Sequence, residues 1–358
     1  MKDLQKIKEI FDNYSEGNHF SGVALIKDNK SDLFSYQSGY AHRGFKVKNT
    51  MRTKFDTASV TKLFTAVGIF QLLDQNLITL NDKVLDILEL RGTSISPQVS
   101  LYHLLTHTSG IGDDADEEAG ECYADLWKAT PNYAIKELID YLPQFIHKAP
   151  NFEPGAGCRY NNCAYILLGL IIEKITTQNY RDYIRENIFN KLAMKETDFL
   201  SMDSINDNVA EGYVYIGEEA DGSVNWKKNI YSYPSQGTAD AGAYATVYDL
   251  DLFIRELKEN KLISKELTQE ILTPKERYRE NDKRSLSLYK GYGFEFLIRN
   301  SDQKVIYVMK DGSNAGVACL FRYYPDIDTT FTIFSNTDAC DIWDLADEVQ
   351  LYLGIEVE

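Results

Sequence analysis

Strand-type patterning lies at both ends of this 358-residue chain, and helical patterning fills the middle. Phe20–Lys27 and Asp32–Tyr40 are short β-type runs joined at Asp28-Asn29-Lys30. From about Gly291 the period returns to strand type in four runs, 293–298, 305–309, 317–323 and 329–335, separated by turn residues. Between them, Val60–Gln75 carries Leu63, Phe64, Val67, Phe70 and Leu73 at helical spacing and is apolar on most sides, so it belongs in an interior. Further helices are expected near 80–88, 101–106, 133–141, 162–174 and 180–187, while 211–233 reads as irregular or hairpin-like with a turn at Asp221-Gly222. Amphipathic helices open the chain (1–14) and close it (342–353). This order predicts an α+β fold: one antiparallel sheet assembled from both chain ends, flanked by the terminal helices, with a helical lobe inserted between its strands. The expected division is a single domain with a sheet lobe of about 1–55 plus 236–358 and a mainly helical lobe of about 56–235.

Composition narrows the partners. A net charge of −16 repels phosphate backbones and argues against nucleic acid. The longest strongly apolar run, 165–172, is too short to span a bilayer. The first residues read as an amphipathic helix rather than a signal peptide, which makes the cytoplasm the expected location. Five cysteines without a C-x-x-C pair suggest reduced thiols, not a disulfide framework or a zinc site. No metal or cofactor is expected, and the oligomeric state is not legible.

Ser-x-x-Lys occurs three times, as Ser59/Lys62, Ser287/Lys290 and Ser301/Lys304. Ser301 falls in a polar turn, and Ser287 in what reads as a loop, so both pairs read as solvated products of composition. Ser59 instead opens the most apolar helix. There the helix dipole favours a developing oxyanion. Lys62 lies one turn on, where an apolar setting lowers its pKa and makes it a candidate base. A serine N-cap with a snorkelling lysine fits this tetrad equally well. Two further islands stand out. Tyr160-Asn161-Asn162 follows a turn and precedes an apolar helix; a tyrosine near several lysines is open to ionisation near neutral pH, although an aromatic helix cap is the plainer reading. Lys310-Asp311-Gly312 is the only Lys-x-Gly in the chain and reads as the end of a strand and a hairpin turn.

The ordered set Ser-x-x-Lys, Tyr-x-Asn, Lys-x-Gly resembles the penicillin-binding proteins and class C β-lactamases. The stretches Leu104–Ile111, Pro154-Gly155, Asp240–Tyr244 with Tyr248–Leu250, and Tyr292–Phe294 add to the likeness, which covers roughly residues 15–340. The resemblance implies a β-lactamase/transpeptidase-like fold and a serine hydrolase. Ser59 would be acylated and Lys62 would help deprotonate it. Tyr160 would shuttle protons. Asn162 would bind the substrate amide and position Lys62. Lys310 would stabilise the tyrosinate and steer anions, with Gly312 beside it. The backbone N–H groups of Ser59 and Ser313 would form the oxyanion hole.

Asp311 departs from the family, which usually has Thr or Ser there to hold a substrate carboxylate. A carboxylate at that place would repel one by about 1–4 kcal/mol. It disfavours β-lactams and suits a neutral or amine-bearing ester or amide, unless Asp311 pairs with Lys310 or points outward. The acidic segment 112–126 is either a rim that favours cationic substrates or a solvated loop. The expected substrate is a small molecule or peptide-like ester or amide. A true β-lactamase, or a sensor module acylated without turnover, is the alternative.

Overall fold

The computed structural model describes residues 2–355 except 17–18, 122, 222 and 282–284. Its centre is an eight-stranded sheet in which every neighbouring pair is antiparallel. Strands β1 (Gly22–Lys27) and β2 (Asp32–Ser38) come from the front of the chain. Strands β3 (Glu276–Asn281), β4 (Leu286–Lys290), β5 (Glu295–Arg299), β6 (Lys304–Asn314), β7 (Val317–Tyr324) and β8 (Thr329–Ser335) come from the back. The order is β2-β1-β8-β7-β6-β5-β4-β3, so β1 pairs with the last strand, Gly22 opposite Ser335. The expected sheet built from both ends is therefore present.

Two layers cover it. Helices α1 (Leu4–Ser15) and α5 (Ile342–Gln350) bury Ile7, Phe11, Leu345 and Val349 against Leu320 and Ile333 on one face. Asp3 caps α1 by accepting from the Lys6 N–H at 3.0 Å, and Asp341 caps α5. The other face, carrying Val23, Phe321 and Phe334, packs into the larger core with α2 (Lys62–Asp74), α3 (Cys163–Thr176) and α4 (Val247–Lys258). Every residue of α2 from Lys62 to Leu72 is buried, as its all-round apolar sequence requires. Gly68 lets α3 and its neighbour come close: a Cβ there would lie 3.0 Å from both Ile172 and Ile184 methyls.

Several expectations change. The back-half strands of the sheet begin at Glu276, not near Gly291. Strand β3 is mostly exposed, so its sequence lacks the apolar alternation that marks β5–β8. Strand β6 runs through Asp311 and Gly312 to Asn314, and the hairpin turn falls at Ala315-Gly316, where Gly316 has φ +71°. The 133–141 helix is replaced by two short 3₁₀ turns, Asn132–Ala134 and Leu138–Tyr141. The 211–233 hairpin forms with strands Tyr213–Glu218 and Val224–Lys228, while Gly222 of its proposed turn lies outside the described residues. Among the described residues no helix is long and apolar enough to cross a membrane. The four described cysteines, 158, 163, 319 and 340, are unpaired.

Candidate active site

Ser59 lies in a single 3₁₀ turn, Ala58–Thr61, that leads directly into α2. The turn is held from three sides. Thr57 donates its N–H and its hydroxyl to the Ala243 carbonyl (2.8 and 2.7 Å), and the Ala243 N–H donates to the Thr61 hydroxyl (3.0 Å). Asp56 Oδ1 accepts from the Ala58 N–H at 2.7 Å. Ala58 has φ +41°, a strained value for a residue with a Cβ, and strain of this kind gathers at functional turns. Strand β6 closes the third side. A Cβ on Gly312 would sit 2.7 Å from both the Ser59 nitrogen and the Thr57 oxygen, so only glycine permits this approach.

Lys62 is fully buried, and its ammonium donates to Ser59 Oγ (3.2 Å), Asn162 Oδ1 (2.7 Å) and the Asp240 carbonyl (2.8 Å). Burial pulls its pKa down to about 8, against the opposing charge of Asp240. The snorkelling alternative is excluded by this burial. The Tyr160 hydroxyl donates to Ser59 Oγ at 2.8 Å. It stands at the entry to α3, whose first N–H groups are capped from outside the helix: Asp113 accepts from Asn162 and Cys163 (both 2.9 Å), and Asn161 Oδ1 accepts from Ala164 (2.7 Å). His107 is buried and accepts from the Asn161 N–H at 3.1 Å, with its ring 4.7 Å from that of Tyr160; it positions this segment.

The ionisation expected for Tyr160 is not what the structure favours. Burial raises its pKa well above the ordinary value, and the Glu117 charge raises it further. The ammonium groups of Lys62, Lys290 and Lys310 each lie 5.0 Å from its ring centroid. Two of them are already compensated. Glu295 accepts from Lys310 at 2.6 Å and from Lys290 at 2.8 Å, and all three groups are buried. Burial alone would raise the Glu295 pKa, but the two lysines hold it below the carboxylate range.

Lys290 was expected to be solvated; it is buried on β4, and Ser287 is buried with it. Ser301 is exposed in its turn, as expected. Glu295 carried no signal in the sequence and Lys290 only a dismissed Ser-x-x-Lys, because their pairing depends on strand register. Asp240 lay in a recognised stretch but without a role. Asp311 is engaged at the sheet edge: Oδ2 accepts from the Trp343 indole of α5 at 2.9 Å, and Oδ1 lies 3.7 Å from Lys310. Ser313 lines the cleft into which Ser59 opens.

The acidic segment divides: residues 112–115 are buried, whereas 117–121 are exposed, so the solvated-loop reading fails only for its first part. Asp113 and Asp114 are buried, Asp116 pairs with Arg159 at 2.7 Å, and Glu118 accepts from the Tyr160 N–H and the Tyr278 hydroxyl. Glu117 accepts from Asn162 Nδ2 at 3.4 Å, and the Tyr123 hydroxyl accepts from the same nitrogen. Cys163 thereby gains acidic neighbours, its sulfur lying within 4.8 Å of Asp113 and Asp114 oxygens. Burial raises its thiol pKa well above the usual value, and Asp113 already serves as a helix cap.

An antiparallel sheet under two terminal helices, with a serine opening a buried helix beside it, defines the serine hydrolases that include the penicillin-binding proteins. The chain belongs to the Beta-lactamase family, whose model matches residues 7–347. It is 28% identical over 347 residues to Penicillin-binding protein 4* of Bacillus subtilis, covering 93% of this chain and 71% of that one. Other curated relatives are matched over 41% to 52% of their own length. A penicillin binding protein from Bacillus halodurans superposes with a TM-score of 0.85 at 31% identity, covering 96% of this chain and 99% of that one. The D-amino acid amidase of Ochrobactrum anthropi SV3, at 20% identity, shares the fold with a TM-score of 0.76 over 98% of both chains.

Proposed function

We propose that Ser59 is the nucleophile of an acyl-enzyme hydrolase acting on an ester or amide carbonyl. One observation carries this reading: Ser59 Oγ lies within hydrogen-bond distance of both the buried Lys62 amine and the Tyr160 hydroxyl. A base with a pKa of about 8 is partly neutral at physiological pH and matches the task. In acylation the Ser59 oxygen attacks the carbonyl carbon and its proton passes to neutral Lys62. The oxyanion is received by the backbone N–H groups of Ser59 and Ser313. As the C–O or C–N bond breaks, the leaving group takes the proton of Tyr160, and Lys62 restores it. A water then attacks the acyl carbon by the reverse path, releasing the acid and Ser59. Asn162 fixes the Lys62 amine in line with Ser59.

Esterase and amidase activity rank ahead of D,D-carboxypeptidase, and β-lactamase last. The Lys310 charge, available in the family for a substrate carboxylate, is here shared with Glu295 and Asp311. The relatives named D-amino acid amidase and penicillin-binding protein fit this order. The unpaired cysteines accord with a reducing, cytoplasmic setting. The test is labelling with a fluorophosphonate, followed by a panel of short-chain p-nitrophenyl esters, D-amino-acid amides and nitrocefin. Ser59 must take the label and esters or amides must turn over. An adduct formed on another residue, or a Ser59→Ala protein with full activity, refutes the assignment. A stable adduct with no turnover of any substrate identifies a sensor module.

A further inference from the structure

Two buried ammonium groups share one carboxylate beside Tyr160. Glu295 on β5 meets Lys310 of β6 at 2.6 Å and Lys290 of β4 at 2.8 Å. These side chains are between 1% and 5% exposed, so water screens none of them appreciably. Lys62 and Lys310 belong to the motifs and Lys290 does not. Yet the Lys290 ammonium lies 5.0 Å from the Tyr160 ring centroid, as far as theirs. It also lies 4.2 Å from the Tyr278 ring centroid, which holds it from a second side. Burial works against the Lys290 charge, and Glu295 sustains it. Carboxylates stand against these cations. Burial opposes a negative charge on the Tyr160 oxygen, and Glu117, Asp311 and Glu295 add to that opposition. Glu295 by itself would cancel Lys310 and leave Lys62 to face Glu117 and Asp311. Lys290 returns the charge that Glu295 takes away.

We infer that Lys290 is a positioning residue of the acylation step, acting through Tyr160: its ammonium restores the positive field that carries this side chain through its deprotonated state. The inference rests on the roles proposed for Ser59 and Tyr160. As the C–N bond of an amide breaks, the leaving nitrogen takes the Tyr160 proton, and a phenolate exists until Lys62 returns one. Lys62 by then carries the Ser59 proton, so Lys62, Lys290 and Lys310 are all ammonium ions around it. In the resting enzyme Tyr160 stays protonated. The stabilisation therefore acts in the transition state and not on bound substrate. A leaving p-nitrophenolate takes no proton and does not draw on this field.

The experiment compares Lys290→Met with the double variant Lys290→Met/Glu295→Gln on the full chain, using a D-amino-acid amide and a short-chain p-nitrophenyl ester. Lys290→Met leaves Glu295 paired with Lys310. Its kcat/KM should fall by about tenfold or more on the amide and by less than about threefold on the ester, with the amide loss in kcat and not in KM. The double variant removes one cation and one anion, so the charge balance around Tyr160 returns. Its amide turnover should recover to within about threefold of the native protein. A merely structural Lys290 predicts the reverse: equal losses on both substrates and a further loss in the double variant. Either result overturns the inference, as does an unchanged amide-to-ester ratio in Lys290→Met. If thermal unfolding shows that Lys290→Met has lost its fold, the double variant decides: a native amide-to-ester ratio supports the inference and an amide-selective loss overturns it. A native chain whose Ser59 takes no fluorophosphonate label and which turns over neither substrate refutes the nucleophile assignment instead.

Discussion

The Glu295 carboxylate holds the Lys310 ammonium at 2.6 Å inside the protein, and it is shared with Lys290 at 2.8 Å. Lys310 belongs to the Lys-x-Gly motif, yet its charge is met by a residue from the neighbouring strand. This compensation lets three ammonium groups surround Tyr160 without ionising it.

Glu295→Gln leaves the buried Lys290 ammonium without its counter-charge and Lys310 with only Asp311, 3.7 Å away. It should lower unfolding stability by about 3–5 kcal/mol. The native Glu295 pKa is depressed, so its contribution is complete above the ordinary glutamate value of about 4.3 and is lost as pH falls below it. Urea unfolding of wild type and variant should therefore differ most near neutrality and converge in acid. A difference that stays constant from neutrality into acid contradicts the pairing.

The base assigned to Lys62 predicts a rising limb. Its neutral form is the active one, so kcat/KM should climb with pH through about 8 and level above it. Tyr160, held protonated by burial, should add no falling limb below its ordinary value of about 10. Lys62→Ala should lower kcat/KM by about 10²–10⁴ and abolish the limb. A limb retained in the variant assigns the base elsewhere.

Tyr160→Phe removes the hydroxyl that donates to Ser59 Oγ. An amide needs its leaving nitrogen protonated, whereas p-nitrophenolate leaves as the anion. The loss should be about 10²–10⁴ for an amide and much smaller for a p-nitrophenyl ester. Equal losses on both substrates point to a structural role for the ring.

Asp311→Thr restores the usual family residue but breaks the contact with Trp343. Stability should fall by about 1.5–3 kcal/mol, the range for a hydrogen bond to a charged group. Ester turnover should change by less than about threefold, well short of the loss of a catalytic group. A gain of nitrocefin hydrolysis by orders of magnitude would show that Asp311 itself excludes β-lactams.

Gly312→Ala places a Cβ against the main chain of Ser59 and Thr57. Overpacking there should cost about 1–3 kcal/mol of stability. The displaced Ser59 turn should cost about 10²-fold in kcat. Thermal unfolding and single-turnover acylation separate the two effects.

Much of this protein was legible in its sequence, because local rules suffice for local features. Alternation marked β1, β2 and the four apolar strands of the back half, and all-round apolarity placed α2 in the core with Lys62 one turn from Ser59. The three motifs marked Tyr160, Asn162, Lys310 and Gly312 as separate islands. Tertiary structure alone decided what joins them. Strand register set Glu295 against Lys310 and Lys290, turning a dismissed lysine into part of the site. Asp113 could become the cap of a helix 49 residues away only after the chain had folded back. The Tyr160 protonation state depends on desolvation, which sums over everything packed around a group. Spacing along a chain carries no record of that sum.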